Sequence, residues 1–124
     1  MAREHHELPY SPEAVAFVSY YEEAFNRACG LGLHADLLGL HRPGCPVTYP
    51  GPEGRERTRP IEEAVQDIPK GATVSFVSPR GTKTRIVAGF HGHGWPGGEV
   101  VGHAIFELEG GQVVRLTLLP FDRS

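Results

Sequence analysis

The stretch HAIFELEGGQVVRLTLLPFD, residues 103–122, sets the architecture that the rest of the chain must fit. Apolar and polar residues alternate on both sides of its double glycine, a pattern typical of two strands joined by a tight turn. That turn places Phe106 opposite Leu116 and Glu107 beside Arg115, so that apolar and charged pairs agree in one register. We therefore predict an antiparallel hairpin with one apolar face.

Further strands precede this hairpin, and we predict strands at residues 73–78, 83–94, 99–109 and 112–121. In the final hairpin Leu108 is expected opposite Val114. A three-residue turn centred on Gly97 joins the two middle strands and creates a second apolar face. The pairs expected on that face are Ile86 with Leu108, Ala88 with Phe106, and Phe90 with Ala104.

The same register gathers histidines on the opposite face of the sheet. It places His91 opposite His103, and His93 opposite Val101. These side chains face away from the helices unless a β-bulge in residues 101–104 turns His103 inward. The sequence does not place such a bulge, so both positions of His103 remain open.

Helical periodicity dominates the first half of the chain. The segment SPEAVAFVSYYEEAFNRACG begins with Ser11 and Pro12 as start signals and reaches a stop at Gly30. Its apolar stripe comprises Ala14, Phe17, Val18, Tyr21, Phe25 and Ala28. Shorter helices are predicted at residues 33–41 and between Pro60 and Pro69, separated by a short strand pair. The order predicts an α+β fold with the helices on one sheet face.

Composition restricts the chain to one domain and excludes several classes of function. With 124 residues and 40% hydrophobic content, the chain can bury one core, so residues 1–124 form one domain with residues 1–10 as a flexible tail. A net charge of -3 without a Lys/Arg cluster argues against nucleic acid as a partner. The charged N-terminus, broken by Pro9, resembles neither a signal peptide nor a membrane span, so we expect a cytoplasmic protein.

Cofactor motifs are missing from the sequence. Cys29 and Cys45 lack the paired spacing of a zinc site, although one disulfide between them stays open. His91, His93 and His103 supply three nitrogens in principle, but no carboxylate is obviously placed to support a metal. We expect neither a metal nor a cofactor.

Three segments together resemble one superfamily across roughly residues 12–122: VSYYEEAFN, VTYPGPEGRERTRPIEEAV and the final hairpin. The chain resembles nuclear transport factor 2-like (NTF2-like) proteins, especially their SnoaL-like polyketide cyclase and ketosteroid isomerase branch. The resemblance implies a cone in which a curved antiparallel sheet wraps around three helices and leaves an apolar pocket, often in a homodimer packed through the sheets. Such a pocket is a small-molecule site.

The resemblance also assigns positions to a possible reaction. Ketosteroid isomerases use an aspartate base, with a tyrosine and a neutral aspartic acid as oxyanion donors. Tyr21 falls at the position of the oxyanion tyrosine, Tyr49 at that of the base, and His103 or Ala104 at that of the second acid. Both carboxylates of that scheme are therefore replaced here.

The remaining polar groups indicate acid/base chemistry without a cofactor, including epoxide-opening ring closure, on an apolar oxygenated molecule such as a polyketide intermediate. We expect Tyr49 and His103 to transfer protons, with His91 nearby, and Tyr21 to stabilise the oxyanion. The expected apolar lining comprises Phe17, Trp95, Phe90, Phe106 and Leu118. His34 and His41 could border the pocket mouth.

A second hypothesis is a non-catalytic ligand-binding or dimeric assembly module. An apolar patch on the sheet face would then be covered by another copy of the chain. That patch comprises Val87, Val101, Ile105 and Leu119.

Overall fold

The described residues form three α-helices and six strands, and they confirm the predicted α+β class. The structure, a computed structural model, describes residues 11–50, 55–68, 70–95 and 98–120, so the predicted tail lies outside the described residues. The helices are α1 (Pro12–Leu31), α2 (Ala35–Gly39) and α3 (Ile61–Ala64). The strands are β1 (Pro46–Pro50), β2 (Glu56–Pro60), β3 (Thr73–Gly81), β4 (Arg85–Trp95), β5 (Gly98–Glu109) and β6 (Gln112–Pro120).

Helix α1 starts where its sequence signals predict. The Ser11 side chain accepts a hydrogen bond from the Ala14 backbone N–H, and Pro12 occupies the first turn, where a missing N–H costs nothing. The helix continues past the predicted stop at Gly30, and Gly32 caps it in the left-handed conformation at φ 69°. The predicted stripe is buried apart from Phe17, which is half-buried.

The two later helices are shorter than predicted. Helix α2 has one full turn, and α3 passes at Val65 into a 3-10 turn that ends at Asp67. Both helices nevertheless bury apolar residues, including Leu37 and Ile61, against the sheet and α1. A short helix depends on such packing because its own hydrogen bonds are too few to sustain it.

The strands form one sheet in the order β2-β1-β6-β5-β4-β3. Neighbouring strands run antiparallel except for β1 and β6, which run parallel with Val47 opposite Leu116. The sheet is therefore mixed, which corrects the predicted antiparallel sheet. The parallel pair brings the residues after α2 beside the end of the chain's last hairpin.

The last hairpin has the predicted register over most of its length. Phe106 lies opposite Leu116 and Glu107 opposite Arg115, as predicted. The register shifts after Glu107, so that Leu108 lies opposite Val113 and not opposite Val114. This shift lets Leu108 and Val113 both point into the core.

The predicted register between β4 and β5 is wrong by two residues. His91 lies opposite Val101, and Gly89 lies opposite His103. A bulge between Gly92 and Trp95, where two residues of β4 face one residue of β5, accounts for one residue of this difference. The other arises because Trp95 pairs with Gly98, whereas the predicted turn would pair it with Glu99. The predicted turn at Gly97 lies outside the described residues. A shift of two leaves each side chain on its predicted face, so the apolar face remains as expected.

The core lies between α1 and the inner face of the sheet. Phe106 is fully buried there and contacts the rings of Phe17, Tyr21 and Phe76. Among the described helices, none combines the length and apolar character required to cross a membrane.

Candidate functional site

Two buried polar side chains, Tyr21 and His41, meet inside the fold. Tyr21 lies on the apolar stripe of α1, which directs its side chain inward. His41 follows shortly after α2, and its backbone forms an isolated β-bridge with Val113 of β6. The Tyr21 hydroxyl lies 2.9 Å from Nε2 of His41, and the two residues are only 1% and 2% exposed. We call these two residues the Tyr21–His41 pair.

The hydrogen bonds assign the proton positions in this pair. Nδ1 of His41 lies 2.8 Å from the Leu37 carbonyl oxygen, which can only accept, so Nδ1 carries a hydrogen. Burial lowers the pKa of His41, which favours the neutral ring and leaves Nε2 as an acceptor. Tyr21 therefore donates to His41. Burial also raises the pKa of Tyr21, so the pair is neutral near pH 7.

Aromatic rings surround the Tyr21 phenol. The ring of Phe106 is closest, with centroids 4.9 Å apart, and the ring of Phe25 packs at 6.5 Å. Phe17 and Phe76 lie at 6.0 and 5.9 Å. These two rings are half-buried and pack against the core, whereas the other three rings of the cluster are buried. The aromatic cluster therefore meets solvent on the side of Phe17 and Phe76.

A second polar group lies at Tyr49, which joins the same buried core cluster as Tyr21. The Tyr49 hydroxyl donates a hydrogen bond to Oδ2 of Asp67, at the end of the 3-10 turn. Arg57 of β2 donates to the same oxygen at 3.1 Å. Strand β1 thus directs Tyr49 inward, and residues on both sides of α3 supply its charged neighbours.

These contacts favour the neutral form of Tyr49 and the ionised form of Asp67. The hydrogen bond from Tyr49, followed by that from Arg57, holds the pKa of Asp67 below its ordinary value. Burial, followed by the hydrogen bond to Asp67, raises the pKa of Tyr49. Asp67 is therefore an ionised carboxylate and Tyr49 a neutral phenol near pH 7. A carboxylate thus lies beside the position that sequence comparison had left with only a phenol.

The predicted apolar lining residues all belong to the core cluster or pack against it. Phe90 and Phe106 are buried, whereas Leu118 is half-buried on β6 opposite Ala104. Trp95 packs on Phe25 at 6.2 Å. The described structure thus places these residues on the inner side of the sheet, together with Tyr21 and Tyr49.

His91 and His103 do not join the two tyrosines. The backbone pairs continuously from Gly92 opposite Val100 to Arg85 opposite Glu107, so the bulge proposed for residues 101–104 is not present. Ala104 consequently points into the core, and His103 is exposed on the outer face. His91 lies on that same outer face, because two-residue periodicity keeps it in phase with Gly89, the partner of His103.

The sequence analysis did not predict that His41 and Asp67 are the hydrogen-bond partners of Tyr21 and Tyr49. His41 had been noted only at the possible pocket mouth, and its placement next to a proline–glycine turn was the one local signal of a fixed position. Asp67 lies off the apolar stripe of the third helix, so its pattern resembles that of a solvated helix residue. Its contact with Tyr49 arises only through the fold.

Both cysteines are buried and free. Burial raises the pKa values of Cys29 and Cys45 to about 11, so each thiol is protonated near neutral pH. Cys45 is therefore a buried core residue near Tyr21 and lacks the thiolate character of a reactive cysteine.

Comparison with solved structures places this architecture among NTF2-like proteins. An NTF2-like protein of unknown function from Cytophaga hutchinsonii is 14% identical, with a TM-score of 0.67 over 89% of this chain and 91% of that one. A proposed ketosteroid isomerase from Kribbella flavida is 15% identical, with a TM-score of 0.66 over 88% of this chain and 78% of the other. A proposed polyketide cyclase from Sinorhizobium meliloti is 16% identical, with a TM-score of 0.64 and coverages of 88% and 95%.

The chain has the NTF2-like fold that the sequence resemblance implied. Structures with this fold include proposed isomerases and cyclases, the branch to which the sequence was compared. No protein-family description and no curated protein matches the chain at the level of sequence. The fold is thus assigned, while function depends on the groups that the fold brings together.

Proposed function

We propose that the protein is a cofactor-independent acid/base isomerase or cyclase for a small, apolar, oxygen-bearing molecule. The observation that carries this proposal is the neutral Tyr21 phenol within aromatic rings, two of which, Phe17 and Phe76, are only partly buried. Such surroundings suit an apolar ligand with one polar atom. The proposed activities of several structures with this fold also support this class of reaction.

In this proposal Tyr21 stabilises negative charge that develops on a substrate oxygen. The hydroxyl has one hydrogen, and in the structure it donates this hydrogen in a hydrogen bond to Nε2 of His41. A developing oxyanion is a stronger acceptor than a neutral imidazole and competes for that proton. Because burial keeps both members of the Tyr21–His41 pair neutral, Tyr21 acts as a hydrogen-bond donor and does not become a phenolate.

The proposed proton acceptor is Asp67, with Tyr49 as its neighbour. Tyr49 and Arg57 both bind Oδ2, so neither of these contacts occupies Oδ1 of the carboxylate. The lowered pKa of Asp67 keeps it ionised but makes it a modest base. It is therefore suited to a proton that a neighbouring carbonyl makes acidic, or to a hydroxyl that attacks an epoxide.

The test uses two probes, a small cyclic β,γ-unsaturated ketone and a hydroxy-epoxide of similar size. Conjugation of the ketone is followed by ultraviolet absorbance, and ring closure of the epoxide by chromatography. We expect Tyr21→Phe, Tyr49→Phe and Asp67→Asn to lower kcat on the accepted probe by about 10- to 100-fold.

Two variants serve as controls for that experiment. Tyr20→Phe makes the same chemical change on the exposed side of α1, where Tyr20 is 53% exposed, and should leave kcat unchanged. His103→Ala, on the outer face, should do the same. Equal rates in wild type, Tyr21→Phe and Asp67→Asn would remove the proposed mechanism, as would binding of both probes without turnover.

A second candidate is a non-catalytic module that dimerises through its outer sheet face. We propose it because apolar side chains lie on that face in addition to the histidines. Val77 on β3 is 55% exposed, and Leu119 on β6 is 40% exposed. Val101 and Ile105, on the intervening strand β5, are half-buried. A second copy of the chain would remove these groups from water.

A further inference from the structure

Three potential metal ligands lie together on the outer face, away from the interior tyrosines. His91 and His93 project from β4, and Glu99 projects from β5. Nε2 of His91 lies 3.1 Å from Oε1 of Glu99, and Nδ1 of His93 lies 3.3 Å from Oε2. One ligand atom from each residue falls within a group whose members are no more than 4.8 Å apart.

The β4–β5 bulge creates this arrangement. His91 and His93 are two residues apart on an extended strand, so their side chains share one face. At the bulge, His93 and Gly94 together face Glu99, which brings the carboxylate within reach of both imidazoles. Gly94 has φ 77°, a conformation that side chains rarely adopt, so the glycine permits the bulge.

We propose that His91, His93 and Glu99 form a binding site for a divalent transition-metal ion, with Zn²⁺ as the best-matched ion. Imidazole nitrogens and a carboxylate oxygen are common zinc ligands. With zinc–ligand bonds of about 2.0–2.1 Å, two ligands of a tetrahedral site lie about 3.3 Å apart. The contact of His91 Nε2 with Oε1 of Glu99, at 3.1 Å, is close to that separation. His93 contacts the other carboxylate oxygen, so a small rotation of the Glu99 carboxylate is needed to present one oxygen to both imidazoles, within a group that already spans no more than 4.8 Å.

The remaining adjustment is between the two imidazoles. Their ring centroids are 4.1 Å apart, and both side chains are substantially exposed, so small rotations can direct both nitrogens at one ion. Solvent exposure leaves the fourth position of a tetrahedral site to water. The metal would take the place of the hydrogen in the contact between His91 and Glu99.

The site is tested by metal titration of the full chain at pH 7.5. The parent protein carries His5→Ser and His6→Ser, because these histidines lie outside the described residues and could bind metal independently. Zinc affinity is measured by competition with a chromophoric chelator, and Co²⁺ absorption reports four-coordinate geometry. We expect one ion per chain, and a loss of affinity of at least about tenfold in His93→Ala and in Glu99→Gln.

The matched control is His103→Ala, which removes an exposed histidine from the same face but outside the cluster. It should retain the parent affinity. Circular dichroism and a zinc-dependent rise in Tm of the parent separate loss of ligands from loss of folding. Binding that survives His93→Ala and Glu99→Gln, or no binding below millimolar zinc, overturns the proposal. Because the cluster lies outside the interior site, its failure leaves the tyrosine variants as an independent test of function.

Discussion

At the scale of single residues, the Tyr21–His41 pair shows how a buried imidazole is accommodated in an apolar interior. An unpaired polar group in such a place costs several kcal/mol. Here both ring nitrogens have partners, the Leu37 carbonyl and the Tyr21 hydroxyl. Throughout the described residues, every fully buried side-chain nitrogen or oxygen has a hydrogen-bond partner. The pair thus specifies where α1 and the end of α2 meet.

Acid should destabilise the protein through His41. Burial lowers the pKa of His41 below its ordinary value of 6.5, so the unfolded chain binds the proton more tightly than the folded chain does. The free energy of unfolding should therefore fall as the pH drops below 6.5, by at most about 1.4 kcal/mol per pH unit for this one proton. Urea denaturation at a series of pH values measures this slope.

His41→Gln isolates the contribution of His41, because the amide can accept from Tyr21 but does not titrate. Asp67 has a lowered pKa as well, but its window begins at its ordinary value of 3.8, in more acidic solution. The difference between wild type and His41→Gln should thus shrink from pH 7 towards pH 5. Parallel stability curves for the two proteins would contradict a neutral, buried His41.

At the scale of elements, α1 protects the open edge of β3. β3 is an edge strand, so its outward N–H and C=O groups have no neighbouring strand. Asn26 bonds both backbone groups of Val74, accepting from its N–H at 2.8 Å and donating to its carbonyl at 3.0 Å. Glu22, one turn earlier on α1, accepts from the N–H of Phe76 at 2.7 Å. Two helix side chains thus replace part of a missing strand.

Asn26→Ala should lower the free energy of unfolding by about 1–3 kcal/mol, because it leaves both Val74 groups without these partners. The matched control is Glu23→Ala on the same helix. Within the described part of the chain, the polar contact of Glu23 is an exposed ion pair with Arg27 at 3.4 Å, so its loss should cost less than about 0.5 kcal/mol. Chemical denaturation measures both variants. Similar costs for the two substitutions would show that the Asn26 contacts do not stabilise β3.

Local sequence signals predicted the elements better than their pairing. The start of α1 depends on Ser11 and Pro12, and the apolar alternation aligned Phe106 with Leu116. The β4–β5 register depends on the pairing of Trp95 with Gly98 and on the bulge beside Gly92. Gly92 is one of several glycines in that stretch and carries no distinguishing pattern. The parallel contact of β1 with β6 joins segments almost seventy residues apart, and no local pattern encodes it.

The candidate site was also predictable only where a local sequence pattern fixes the direction of a side chain. Tyr21 follows from the periodicity of a long helix, which fixes the direction of its side chain. Asp67 reaches Tyr49 because α3 passes into a 3-10 turn, a change of helical pitch that the sequence pattern did not reveal. His103 was expected inside only with a bulge that the strand does not have. The interior imidazole is instead His41.

At the scale of the whole molecule, the outer sheet face offers a test of assembly. If two copies pack through this face, Leu119→Lys buries a charge in the interface. Because a two-fold interface contains the substituted residue of both copies, two charges are buried. We expect a dimeric parent and a monomeric Leu119→Lys variant in sedimentation velocity at micromolar concentration.

Leu33→Lys is the matched control for the assembly test. Leu33 is 55% exposed between α1 and α2, so the same chemical change there should leave a dimer intact. A monomeric parent protein, or identical sedimentation of both lysine variants, would argue against dimerisation through the sheet face.

The side chains of α1 that cover the edge of β3 also hinder the addition of a strand from another molecule at this edge. At the other end of the sheet, β2 has only five residues, three of them charged, and finishes in a proline that cannot donate a hydrogen bond. Neither margin is a good template for an incoming strand. Growth by strand addition at either edge, and with it ribbon-like assembly into fibrils, is therefore disfavoured even in concentrated solution.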